Sequence, residues 1–322
     1  MWGVSGALVP SVALVLSGAL VPSVALVLSG VLVPSVALGA DGPLGAPSPV
    51  LRECLAASPA GRSGPWQRAR TSQLAAYCDE LARAWASLNA DPGRARAAAE
   101  RAEGLLPGRA APLLLQGQAA TREGKYEQAV SLFRRAAERD PQALDDPRSL
   151  RDFARSVEEA EGHSKAADAY RRLSPLASAL PGDERAQALI GAAIAVGARG
   201  PEALDESLAL LRSAQQEGPP SLQPALYAAL ALGLDRRGAR AEATAMAERA
   251  RRTGAIGWLD EAKRGGDEWV AARARLLEGA DLSAATSLWQ TFLRGPGGRG
   301  PWAAHARARL ADLSHVAPAK KP

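Results

Sequence analysis

Cysteine is nearly absent. Cys54 and Cys78 are the only two in 322 residues, too few for a disulfide framework or a four-ligand zinc site, and their separation fits no Cys-x-x-Cys motif. Histidine is as scarce: His163, His305 and His315 lie outside any His-Glu-x-x-His arrangement, so neither a metal nor a cofactor is expected. Runs of alternating β-branched residues are missing, which argues against a sheet-built body. No strongly basic face exists either. The 39 Lys+Arg stand against 34 Asp+Glu, and Arg83, Arg94, Arg96, Arg101, Arg134, Arg135 and Arg139 are interleaved with Asp79, Glu80, Glu100, Glu103 and Glu138, so nucleic acid is not an expected partner. What is present is apolar material at 47% of residues, enough for one large domain or two ordinary ones.

From Met1 to Ala40 no side chain is charged. The segment is built from SGALVPSVALVL at residues 5 to 16, repeated identically at 17 to 28 and varied as SGVLVPSVALGA at 29 to 40. Its length suffices to span a bilayer. Pro10, Pro22 and Pro34 each remove a backbone donor, which hydrocarbon tolerates only when the freed carbonyls find other partners. Small residues at Ala37, Gly39 and Ala40, followed by Asp41-Gly42-Pro43, have the form of a signal-peptidase site cut after Gly39 or Ala40. Against that stands the missing positive stretch before the apolar run. Three readings stay open: a cleaved export signal, which comes first; a retained anchor with Arg52, Arg62, Arg68 and Arg70 on the cytoplasmic side, giving membrane association through residues 1–40; or an artefactual leader.

Residues 41–65 are rich in Pro, Gly and Ser and read as a linker with a short helix over 49–57. From Trp66 onward alanine, leucine and arginine recur at helical spacing, broken by Gly or Pro every dozen to twenty residues, which predicts a nearly all-helical domain over 66–314 and a disordered tail at 315–322. Such regular breaks call for a search for internal periods. In residues 110–143, Leu113, Gly117 and Ala120 share one helix face, Gly124-Lys125-Tyr126 makes a turn, Ala129, Phe133 and Ala136 line a second helix, and Pro141 stops it. Ala95, Ala102 and Pro107 lie 34 residues before Ala129, Ala136 and Pro141.

This 34-residue helix-turn-helix spacing resembles the tetratricopeptide repeat family. Looser copies follow: Leu150, Phe153, Ala154 and Val157 with Ala166, Tyr170 and Leu173; Leu189, Ile190 and Ala193 with Ser207, Leu211 and Ala214; Tyr227, Leu230, Ala231 and Leu234 with Ala243, Ala247 and Ala250; Trp269, Ala272 and Leu276 with Ala285, Trp289 and Phe292. The central positions are spaced 37, 41, 36 and 42 residues apart, with insertions assigned to loops. The last copy, followed by Pro301-Trp302 and a helix to about Leu313, looks like the terminal repeats of bacterial cell-envelope members. The resemblance implies an all-α, right-handed α-solenoid of five to six units with a C-terminal capping helix.

It also implies a non-catalytic scaffold or adaptor whose concave face takes up a peptide or helix of a partner protein. In motif register the inward-facing positions are Gln118, Thr121 and Arg122 in one unit and Asp235 and Arg236 in another. Arg122 and Arg236 share a position, and a guanidinium fork suits a carboxylate; the other reading takes them as solvated helix-surface arginines paired with nearby acids. The carboxylate clamp of chaperone-tail binders is not matched, since Leu114, Gln118, Ala228 and Leu232 occupy its positions. Arg294-Gly-Pro-Gly-Gly-Arg-Gly300 lacks the Lys-Ser/Thr of a phosphate loop and reads as a connection. No nucleophile elbow or catalytic carboxylate pair is discernible, so an enzyme is not expected. Cys54 and Cys78 fall on the helices that begin the array; after export they can close a loop, and in a cytosol they are two buried thiols. The reading is therefore an envelope or periplasmic scaffold, with a cytoplasmic regulatory scaffold as the alternative.

Overall fold

The computed structural model describes residues 53–54, 65–261 and 266–316, which belong to one compact unit. The expectations for the leader, for nearly all of the 41–65 linker and for the last six residues lie outside the described residues.

Every regular element among the described residues is helical. They form six hairpins in chain order: α1 (Pro65–Ser87) with α2 (Pro92–Leu105), α3 (Ala110–Arg122) with α4 (Tyr126–Arg139), α5 (Pro147–Glu161) with α6 (His163–Leu173), α7 (Gly182–Gly197) with α8 (Leu204–Glu217), and α9 (Gln223–Arg236) with α10 (Arg240–Arg252); then, after a short α11 (Ala255–Glu261), α12 (Asp267–Leu277) with α13 (Leu282–Arg294). A last helix, α14 (Ala303–Val316), covers α13. Each hairpin packs on the next, giving the expected all-α solenoid of tetratricopeptide-like units with a terminal cap. The cap continues three residues past Leu313, into the stretch expected to be a disordered tail, and α11 was not foreseen.

Local chemistry sets the boundaries. Asp91 caps α2 by accepting the Arg94 N–H at 2.9 Å, with Pro92 in the first turn where its missing donor costs nothing. Asp146 and Pro147 repeat the device at α5, with Ser149 N–H donating at 2.8 Å. Asp281 caps α13 through the Ala284 N–H at 2.9 Å. Between the two helices of four successive hairpins the chain turns on Gly124, Gly162, Gly200 and Gly238, all at positive φ and placed at equal steps of 38 residues. A side chain there would have to adopt the left-handed region that only glycine enters freely.

The two helices of a hairpin differ in kind. In α3 every residue from Ala110 to Thr121 is buried, as is Ala228–Asp235 in α9. By contrast α4 buries only Ala129, Val130, Leu132, Phe133 and Ala136 and shows its other face to water. Thus α3, α7, α9 and α12 form an inner layer and α4, α8, α10 and α13 an outer one, whereas α1 stays largely exposed. Small residues bring them close: a Cβ on Gly117 would stand 3.2 Å from the Phe133 ring, and one on Gly233 would stand 2.9 Å from Leu208. Of the expected core residues, Leu113, Gly117, Ala129, Phe133, Ala136, Ala243, Trp269 and Trp289 are buried. Tyr227 is half-buried and packs against the core. Tyr126 is a correction: it is half-buried because it opens α4 at the edge of the hairpin.

Candidate functional site

The five residues expected to face a partner lie on α3 and α9, within the inner layer, and they bind neighbouring hairpins. Gln118 Nε2 donates to Ser149 Oγ at 3.2 Å, and Thr121 Oγ lies 2.8 Å from Ser156 Oγ, both on α5. Arg122 donates to Asp152 Oδ2 at 2.8 Å, to Asn89 Oδ1 at 3.0 Å and to the Gln118 carbonyl at 3.0 Å. This corrects the expectation that they line an open groove. Successive first helices approach closely enough that inward positions meet the next repeat instead of solvent. The pairing with nearby acids matches the alternative reading, but Arg236, at 3% exposure, is buried and not a solvated surface arginine.

At the other end the same register is more heavily charged. Arg236, buried, pairs with Glu268 at the start of α12 and lies 4.5 Å over the Trp302 ring. Its neighbour Asp235 receives Arg275 Nε at 3.2 Å, His305 Nε2 at 2.9 Å and Arg309 Nε at 3.6 Å. Burial alone would raise the Asp235 pKa. The bond from His305 and the fields of Arg309 and Arg275 outweigh it and hold the carboxyl below its usual range. Glu278 gathers Arg275 at 3.1 Å, Trp289 Nε1 at 2.9 Å and Arg309. None of Glu268, Arg275, Glu278, Trp302, His305 and Arg309 was singled out from sequence as part of this cluster. A usable signal exists: the opposite charge stands about one repeat away, as in Arg122 with Asp152, Arg151 with Glu184 and Arg236 with Glu268.

A third cluster holds the first hairpin. Cys54 and Cys78 are bonded, with Cα atoms 5.8 Å apart. Beside them Glu53 accepts the Tyr77 hydroxyl and, at 3.4 Å, the Ala111 N–H that opens α3. Burial and the Glu53 carboxylate push the Tyr77 phenol far up, so it stays a donor. Among the described residues no group of side chains could hold a metal, and no helix is long and apolar enough to cross a membrane.

The class that this fold and its inner seam define is an all-α array of stacked helical hairpins. No family model matches the chain, and no curated protein does. Among solved structures it is similar to PilF of Pseudomonas aeruginosa at 14% identity and TM-score 0.43, over 69% of this chain and 93% of that one. The RpL4 assembly chaperone Acl4 aligns at 18% identity and TM-score 0.44, over 76% and 99%. Yeast Tom70 aligns at 18% and 0.38, over 74% and 49%. These scores are too low to carry an argument, and the fold assignment stands on the hairpins themselves.

Proposed function

We propose that the chain is a non-catalytic protein-interaction scaffold of the bacterial cell envelope, which takes up a peptide or a helix of a partner protein. The observation that carries it is the stack of six hairpins, which fixes a long surface in advance and so lowers the ordering cost of binding an extended segment. With α3, α7, α9 and α12 buried, the accessible contact surface lies on α1, on the outer helices and on the cap. The Cys54 to Cys78 bond supports the envelope part, because reducing cytosols keep such pairs as thiols.

Intact mass of natively expressed protein, with and without reduction and alkylation, tests location. Loss of about forty residues, as signal-peptide cleavage requires, with thiols that resist alkylation until reduced, is the expected result. A full-length mass with two free thiols contradicts it and leaves a retained anchor or a cytoplasmic scaffold, which membrane fractionation tells apart. Crosslinking in cells from the exposed Trp85 position tests the scaffold itself. A defined protein partner is expected; recovery of the chain alone contradicts the proposal.

A further inference from the structure

Between the third and sixth hairpins lies a cavity of about 480 Å³, inside the range that holds small organic ligands. Its walls are fixed. On one side the turn between α5 and α6 presents Gly162 and His163; on the other Gly266 leads into α12 and has no room for a Cβ against the His163 ring. The ordered 3-10 turn Pro296–Arg299 and the Trp302 side chain close a third side, where Trp302 Nε1 donates to the Gly197 carbonyl at 2.7 Å. The space is thus part of the packed array and needs no element to move.

Most of the lining is apolar, from Ala160, Ala198, Phe292, Pro296, Pro301 and Trp302. The acidic groups on it are not equivalent. Glu161 and Glu268 already pair with Arg134 and Arg236. Asp267 takes a hydrogen bond from the Gly297 backbone, and among the described residues no arginine or lysine pairs with it. Burial and the field of Glu268 raise its pKa overall, against the Gly297 bond and the charge of His163. A cation beside this carboxylate would supply the charge it lacks. A second set of acceptors comes from the wall itself: α5 ends at Glu161, and the carbonyls of Ala160 and Glu161 take no backbone N–H, at the helix end where the dipole places negative charge. The positive end of α6 starts beside it, but the carboxylates of Glu161, Asp267 and Glu268 line the same cavity and disfavour an anion.

We propose that this cavity is a binding site for a primary ammonium group on a short aliphatic stem, the charge taken by the Asp267 carboxylate with help from the carbonyl end of α5, and the stem lying on the apolar wall. A free alkylamine and a lysine side chain share this chemistry. The inference goes beyond the scaffold reading and does not need it.

Calorimetric titration of the full chain with pentylammonium tests this, with pentanol and pentanoate as the neutral and negative matches of equal length. Saturable binding of the ammonium alone is expected, and Asp267→Asn weakens it about tenfold or more, as loss of a hydrogen bond to a charged group implies. Ala160→Leu narrows the cavity and weakens binding too, whereas Glu242→Gln, on the exposed face of α10, leaves it unchanged. The peptide acetyl-Gly-Lys-Gly-amide separates the two sources: binding tighter than that of pentylammonium assigns the site to a partner's lysine, weaker binding to a free amine. No saturable binding by the wild type, equal binding of the alcohol or the carboxylate, or unchanged affinity in an Asp267→Asn variant of wild-type helix content overturns the proposal. If Asp267→Asn misfolds, Ala160→Leu decides in its place, and unchanged affinity there overturns the proposal as well. The titration uses no cellular partner, so its failure leaves the scaffold reading standing, and a failed crosslinking search leaves the cavity standing.

Discussion

Between the second and third hairpins the inner seam is closed mainly by neutral groups, Gln118 with Ser149 and Thr121 with Ser156, plus one ion pair, Arg122 with Asp152, whose arginine is 25% exposed. Between the fifth and sixth hairpins the pairs are buried on both sides: Arg236 and Glu268 are 3% and 8% exposed, Arg275 and Asp235 6% and 2%. The same repeat geometry thus accommodates two chemistries. A neutral seam loses only one modest hydrogen bond when a member is removed, whereas an ionic one leaves an uncompensated buried charge.

The sharpest way to break this contrast is to remove one member from each seam. Glu268→Ala strands Arg236 and should cost about 3–5 kcal/mol, while Gln118→Ala should cost about 0.5–1.5 kcal/mol; denaturant unfolding measures both, and equal losses would erase the distinction. Reducing the Cys54 to Cys78 bond, which closes a loop spanning 24 residues, should cost about 3 kcal/mol. That loss belongs to the first hairpin, so hydrogen exchange should rise in α1 and α2 and leave α9 and α12 unchanged.

Acidity offers a smaller effect. Burial alone would lower the His163 pKa, but Glu158, 3.2 Å away, and the fields of Glu268 and Glu159 raise it overall. Its contribution is full below about pH 6.5, the ordinary histidine value, and is lost as pH rises through the raised one. Asp235 behaves oppositely: its depressed pKa gives stability that is present above about pH 3.9 and lost as pH falls through the lowered value. Thermal midpoints should therefore decline on both sides of a plateau, and His163→Gln should flatten the alkaline limb alone. An unaltered alkaline limb in that variant would count against the assignment. The smallest test concerns the turns. Gly124→Ala, at φ +73, should cost about 1–2 kcal/mol, whereas Gly104→Ala, within α2 with nothing inside 4 Å of its Cβ, should stabilise by about 0.5–1 kcal/mol.

The hairpins were legible in the sequence because helix period, small contact residues and prolines are all local signals. Alignment on the second-helix positions Ala129, Ala166, Ser207 and Ala243 gave uneven steps, since either alanine or serine satisfies that contact. The turn glycines repeat at an even 38 residues, because backbone conformation there admits little else. A short 3-10 turn over Pro201–Ala203 delays α8 after Gly200 and accounts for part of the unevenness. The inner seam was not legible. Helical register places Gln118, Thr121, Arg122, Asp235 and Arg236 inward, but whether inward means groove or seam depends on how closely successive first helices pack. Nor does a single helix say that Asp235 meets His305 and Arg309 from a cap some 70 residues on.

Native-state hydrogen exchange on the full chain, wild type against Asp235→Asn, tests the central claim most directly. The account predicts protection lost in α9, α12 and α14 together, with α3 to α6 unchanged. Loss spread evenly over all hairpins, or none in α14, would contradict a C-terminal seam that the cap closes through its charges.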